Sequence, residues 1–160
     1  MGKTMKNKII KPMLVNIWQK HAEGHWAVIT TNGVVTPSGD NVMGAGVALE
    51  AKERFPEMPR KLGAMLKKHG NNVFVFPEYR LITFPTKDHY KDPSKIDLIK
   101  RGMGQLFDLI NNHDELAIEK IYCPLLGCGY GGLNWENEVS PEIYLDYLRF
   151  NGRLIFVTNR

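Results

Sequence analysis

Along this chain, short runs rich in β-branched and aromatic residues alternate with stretches whose apolar residues recur at three- and four-residue steps, and that alternation leaves few folds open. A strand period cannot serve as a helix period, so the order implies one largely parallel or mixed sheet with helices on both faces, a three-layer α/β/α sandwich. The segments "MLVNI" (13–17) and "HWAVITT" (25–31) read as strands, and "NGVVTPSGDN" after the second supplies turn chemistry. A helix is predicted over 42–55, with Val47, Ala48, Ala51 and Phe55 on one side and Pro56 ending it, and a second over 57–69 that stops at Gly70. "NVFVF" and "YRLITF", separated by Pro77 and Glu78, are predicted to be adjacent strands with a tight connection. The strongest helix follows Asp92-Pro93-Ser94, where Ile96, Ile99, Met103, Leu106 and Ile110 keep helical spacing and Asp97 stands three residues after Ser94 as in a capping box. It ends in the polar "NNHDE"; "AIEKIYCPLL" is another strand, Ser140-Pro141 a helix start, and "RLIFVT" a last strand.

No internal repeat, linker or low-complexity segment divides the chain, and 160 residues suffice for one core, so a single domain over 1–160 is expected. The two cysteines, Cys123 and Cys128, lack the Cys and His neighbours of a zinc site, which predicts a reduced protein without metal or other cofactor. The leading "MGKTMKNKIIKPMLVNIW" has too short an apolar run for a signal peptide or membrane span. A cytoplasmic monomer is the expectation. The net charge of +4 suits phosphate groups or nucleic acid as partners.

Glycine is concentrated at two places. Gly44 and Gly46 follow the 25–31 strand and open a helix; Gly127, Gly129, Gly131 and Gly132 follow the 117–123 strand. In open α/β sheets ligands bind beyond the carboxyl ends of strands, and a glycine loop leading into a helix favours an anion there. Two such loops at equivalent strand ends are suited to grip a diphosphate from two sides. Neither loop has the Lys and Ser or Thr that a P-loop needs after its last glycine. The spacing G-x-G-x-x-G is met by Gly127, Gly129 and Gly132, but a dinucleotide domain needs that loop near its beginning, with an acidic residue after the following strand, and here the sequence reaches Arg160 just after that strand.

Four segments, "ITTNG" (29–33), "NVMGAGVALEAKERFP" (41–56), "LITFPTKDHY" (81–90) and "CPLLGCGYGGLNWENEV" (123–139), resemble in their order the macro domain family, whose members bind ADP-ribose. The M-G-x-G-x-A helix start, the Thr-Lys after a strand and the G-C-G loop resemble the branch of the terminal ADP-ribose protein glycohydrolase and the DNA ADP-ribosyl glycohydrolase antitoxins. The resemblance implies a role for each matching position. Asn16 stands where the family usually has an adenine-recognising Asp; Asn32 would approach the distal ribose; Met43, Gly44, Ala45, Gly46 and Val47 would line the first phosphate loop. Gly127, Cys128, Gly129, Tyr130, Gly131 and Gly132 would form the second, with Tyr130 over the sugar.

Lys87, in "FPTKDHY", resembles the branch's catalytic lysine. A lysine partly desolvated near other cations can lose its proton and attack an anomeric carbon, opening the ribose and releasing the attached group. His89 and Asp88 are adjacent candidates for acid or base work. In the protein-directed enzyme an Asp in the second loop assists, whereas this chain has Gly131 there, which leans toward the DNA-directed relatives. Cys128 reads as a small packed residue rather than a nucleophile, Trp135 as an anchor, and Glu136 and Glu138 as surface. The resemblance implies a hydrolase that removes ADP-ribose from modified DNA or protein through Lys87. Hydrolysis of ADP-ribose 1″-phosphate and binding without turnover stay open as alternatives, with no membrane partner.

Overall fold

A computed structural model describes residues 8–159; the start of the leading basic segment and Arg160 lie outside the described residues. Among the described residues the six strands are β1 (Met13–Leu14), β2 (Trp26–Thr31), β3 (Phe74–Phe76), β4 (Leu81–Pro85), β5 (Ile121–Pro124) and β6 (Leu154–Thr158). They lie in the order β1-β6-β5-β2-β4-β3, and every pairing is parallel except β3 with β4. The helices are α1 (Ile17–Ala22), α2 (Gly46–Arg54), α3 (Met58–His69), α4 (Ile96–Asn112) and α5 (Ser140–Leu148). Among the described residues no helix is long and apolar enough to cross a membrane.

The period of two along β2 explains the three layers. Trp26 and Val28 face a core shared with Ile99, Met103 and Leu106 of α4 and Ile143 of α5. Ala27 and Ile29 face the opposite core with Ile17 and Trp18 of α1, Ala48 and Ala51 of α2, and Met58 and Leu62 of α3. Alternate side chains of one strand thus seed two cores, and the central strand is apolar on both faces as parallel sheets require. Two helix glycines admit close contacts, one with the sheet and one with the connection after β2. A Cβ on Gly102 of α4 would lie 2.4 Å from the Phe84 ring, and one on Gly63 of α3 would lie 1.9 Å from the Gly39 carbonyl oxygen.

Several expected boundaries move, each for a local reason. The first strand ends at Leu14, because Asn16 starts α1: its side-chain oxygen accepts the Trp18 N–H at 2.8 Å. That helix carries too few residues for its period to show. The helix expected from 42 begins at Gly46, since the backbone at Ala45 is still extended, and Phe55 leaves it to stack on Tyr79 with ring centroids 4.5 Å apart. A short 3₁₀ turn, Pro77–Tyr79, joins β3 to β4. The capping box is not formed: Lys95 is the residue preceding α4, and Ser94 is buried with its amide on the Gly131 carbonyl at 3.0 Å. Ser140 does not cap α5 either. It lies within the helix, and its hydroxyl accepts from the Ile10 amide and donates to the Lys8 carbonyl, both at 2.7 Å.

Candidate functional site

Parallel strands place their carboxyl ends on one edge, so the segments that follow β2, β4 and β5 meet there. Between them lies a cleft of about 660 Å³, the size range of small-molecule sites. It is lined by Asn32, by the 44–48 stretch at the start of α2, by Lys87, Tyr90 and Ser94, and by 127–131. A second cleft of about 390 Å³ shares Gly46, Val47, Cys128 and Gly129 with the first and continues to Val15, Ile17, Glu50 and Asn159. The two glycine loops therefore form a waist between two chambers.

At that waist the backbone presents donors. No side chain caps α2, and its first intrahelical bond runs from the Leu49 amide to the Ala45 carbonyl at 3.2 Å. The N–H groups before Leu49 are left for a ligand, at the positive end of the helix. In the second loop Cys128, Gly132 and Leu133 donate within the loop, to Leu125, Gly129 and Gly127. Gly129, Tyr130 and Gly131 donate to no other described residue. Successive unpaired amides of this kind form an anion-binding concavity.

The glycines divide the work. Gly129 faces open space, so a backbone there can approach a ligand closely. Gly127 has φ +76°, and a Cβ on it would press on Leu133, Ser94 and Ile99. A Cβ on Gly131 would lie 2.4 Å from the Gly127 carbonyl oxygen and 2.1 Å from Ser94 Oγ, which leaves no room for a carboxylate at that position. Gly46 has φ +57° and would put a Cβ 3.6 Å from the Tyr130 ring. Tyr130, 81% exposed, thus reaches from the second loop to the first and roofs the waist.

Lys87 is half-buried in the wall of the larger cleft, beyond the waist from the second chamber. Among the described residues no carboxylate lies within ion-pair distance of its ammonium; the neighbouring Asp88 instead pairs with Lys95 at 3.0 Å. Asn32 also reaches the cleft, but its carboxamide is held, donating to the Val42 carbonyl at 2.8 Å and accepting the Val34 N–H at 3.0 Å. It anchors the loop that leads to α2.

Four expected site residues do not line this cleft. The Met43 side chain is 2% exposed and packs in the core with Ala48 and Ala51 of α2 and Met58 and Leu62 of α3, so its apolar side chain is buried rather than presented to the cleft. Gly132 is turned away from the cleft at φ +79° as the loop closes on Gly129. Asn16 borders neither chamber, although Val15 and Ile17 on either side of it do, because its oxygen caps α1. His89 is held in a turn, its ring stacked on Tyr90 at 4.4 Å and its Nδ1 accepting the Lys91 N–H at 3.1 Å. Tyr90 takes its place in the wall.

Cys128 lies in the loop but is no nucleophile. Burial, aided by Glu138, pushes its thiol up to about 12, and Sγ donates to the Leu126 carbonyl at 3.3 Å. Trp135 is the expected anchor, buried against Phe156 with its indole N–H on the Ile10 carbonyl at 2.8 Å. Asn134 and Glu138 cap the turn behind the loop: the Asn134 side chain accepts from Asn137, and Glu138 accepts the Asn134 N–H. No group of His, Cys, Asp and Glu suited to a metal occurs among the described residues. Tyr90, Ser94 and Glu50 are lining residues that sequence reasoning missed. Tyr90 lies three residues past Lys87, where a turn after β4 brings it back to the cleft.

No protein-family model matches the chain. It is similar to a DNA ADP-ribosyl glycohydrolase of Mycobacterium bovis, 40% identical over 105 residues that cover 60% of this chain and 29% of that protein. The chain thus spans about a third of the length of the curated relatives it matches. Among solved structures it is similar to the macrodomain of Mycobacterium tuberculosis DarG, with a TM-score of 0.66 and 31% identity over 83% of this chain and 88% of that one. The macrodomain of Thermus aquaticus DarG gives a TM-score of 0.64 and 30% identity, covering 85% and 89%.

Proposed function

The chain belongs to the macro domain family, close to the DarG macrodomains, and from that premise we propose that it binds ADP-ribose and removes it from modified DNA, with Lys87 as the nucleophile. The observation that carries this reading is the two-chambered cleft itself. Gly46, Val47 and Gly129, whose amides have no acceptor among the described residues, border both chambers at its waist, and in this reading the diphosphate lies there, with the adenosine end in the smaller chamber and the distal ribose in the larger. Lys87, without a counter-ion, stands in the ribose chamber.

In this mechanism the neutral amine of Lys87 attacks the anomeric carbon as the bond to the base nitrogen breaks. The base leaves with a proton, the sugar ring opens, and the resulting Schiff base is hydrolysed by water to free the lysine. The absence of room for a carboxylate at Gly131 favours a DNA-linked substrate over a glutamate ester, whose cleavage draws on that group. The names of the relatives point the same way.

A panel of ADP-ribosylated DNA, ADP-ribosylated protein and ADP-ribose 1″-phosphate tests the assignment. Release of ADP-ribose from DNA by wild type, and none by Lys87→Ala, is expected. Turnover of the phosphate alone, or of no substrate despite binding, would replace this reading with that of a phosphatase or a binding module.

A further inference from the structure

The backbone on both sides of Lys87 is held, while its side chain is not. Before it, the Thr86 amide donates to the Thr31 carbonyl at 3.1 Å, and the Thr86 carbonyl accepts from the Lys95 amide at 2.8 Å. After it, the Asp88 carbonyl accepts from the Gly33 amide at 2.9 Å. Between these, Asn71 reaches across from the segment after α3. Its Nδ2 donates one hydrogen to the Lys87 carbonyl at 3.2 Å and the other to Asp88 Oδ1 at 3.0 Å, while Asp88 Oδ2 takes the Lys95 ammonium. The Asn71 backbone is fixed in turn by Arg101, whose guanidinium donates to its carbonyl at 2.5 Å.

We propose that Asn71 and Asp88 form a clamp that aims Lys87 at the substrate, so that both are positioning residues for the reaction. This rests on the reading of Lys87 as nucleophile. Attack needs the amine near 3 Å from its carbon and in line, yet a lysine side chain has four rotatable bonds and here, among the described residues, no partner to steady its head. Fixing the carbonyl of the residue itself and the carboxylate of the next removes the backbone's share of that freedom. The glycine at 33 belongs to the same device. A Cβ there would lie 2.8 Å from Asn71 Cγ and 2.9 Å from its Nδ2, so any larger residue pushes the clamp off its partners. Asp88, offered by sequence as an acid or base, has its carboxyl held below the ordinary range, first by Asn71 and then by Lys95, which suits a fixed anion rather than a proton carrier.

The test separates aim from binding. Asn71→Asp keeps the size but cannot donate and sets a second negative charge against Asp88. It is expected to lower kcat on ADP-ribosylated DNA on the order of 100-fold while leaving the Kd for ADP-ribose unchanged. Gly33→Ala, a milder displacement of the same side chain, should lower kcat without changing Kd. Parallel loss of affinity, melting temperature and kcat would mean a merely structural role and overturn the clamp. Full activity of Asn71→Asp, with Lys87→Ala inactive, would overturn the clamp alone. Full activity of Lys87→Ala would overturn the clamp together with the functional reading on which it rests.

Discussion

Gly129 and Cys128 show how differently adjacent residues of one loop contribute. Nothing lies within 4 Å of a Cβ on Gly129, and its φ is not in the left-handed region, so Gly129→Val should change stability by no more than about 0.5 kcal/mol. The same isopropyl group would stand in the waist of the cleft and exclude the diphosphate. Calorimetry is expected to show no ADP-ribose binding by a normally folded variant; retained micromolar affinity would remove the second loop from the site. Cys128, with its thiol near 12, should resist iodoacetamide at neutral pH, and Cys128→Ser should keep its activity. The placement of the glycines could be read from their position after strands, whereas their individual tasks could not. That Gly127 and Gly131 pack on Ser94 while Gly129 faces the cleft depends on which way each Cα turns. Likewise, no spacing rule sends His89 into a turn and Tyr90 into the wall.

At the scale of elements, α4 offers a paired test. A Cβ on Gly102 would lie 2.4 Å from the buried Phe84 ring, so Gly102→Ala belongs at the upper end of the roughly 1–3 kcal/mol cost of overpacking and should destabilise by about 2 kcal/mol net of the roughly 1 kcal/mol that alanine contributes to a helix. Gly104, in the same helix with nothing within 4 Å of its Cβ position, should gain about 0.5–1 kcal/mol on substitution by alanine. Denaturant midpoints of the two variants should therefore move in opposite directions. The end of α1 supplies a pH test. Burial, together with Arg80 and Arg54, lowers the His21 pKa from its ordinary 6.5, against the Tyr79 carbonyl that its Nε2 contacts at 2.7 Å. A depressed value in the folded state means that the unfolded chain binds the proton more readily, so stability present above 6.5 is lost as pH falls below it. His21→Phe should flatten that part of the stability curve.

The elements were legible in proportion to their period. α4 carries five apolar residues at helical steps and was found nearly to the residue, and the β3–β4 pair followed from two β-rich runs around Pro77. α1 is not visible in the sequence because six residues hold less than two turns of pattern, and the strand expected over 13–17 runs past Leu14 onto its N-cap, Asn16, because Asn16 follows β-branched Val15. Ser94 and Ser140 matched capping signatures, yet tertiary contacts with Gly131 and with Lys8 and Ile10 claimed them.

For the molecule as a whole, a ligand that fills both chambers couples the α2 side of the fold to the α4 side. ADP-ribose at a hundred times its Kd should then raise stability by about 2.7 kcal/mol, read as a rise in melting temperature that Gly129→Val lacks. The order of the motifs along the chain made the cleft readable from sequence, because loops after parallel strands must meet at one edge. The chambers on either side of the waist were not, since Glu50 reaches them from α2 while Tyr90 and Ser94 reach them from the segment between β4 and α4. The central claim is that Lys87 forms a covalent bond to the distal ribose. Borohydride added during turnover of ADP-ribosylated DNA, followed by mass spectrometry of the digested protein, reads that bond directly. The wild type should carry ADP-ribose on Lys87, and Lys87→Ala and Lys87→Arg should carry none and turn nothing over; label on another residue, or undiminished turnover by Lys87→Ala, would contradict it.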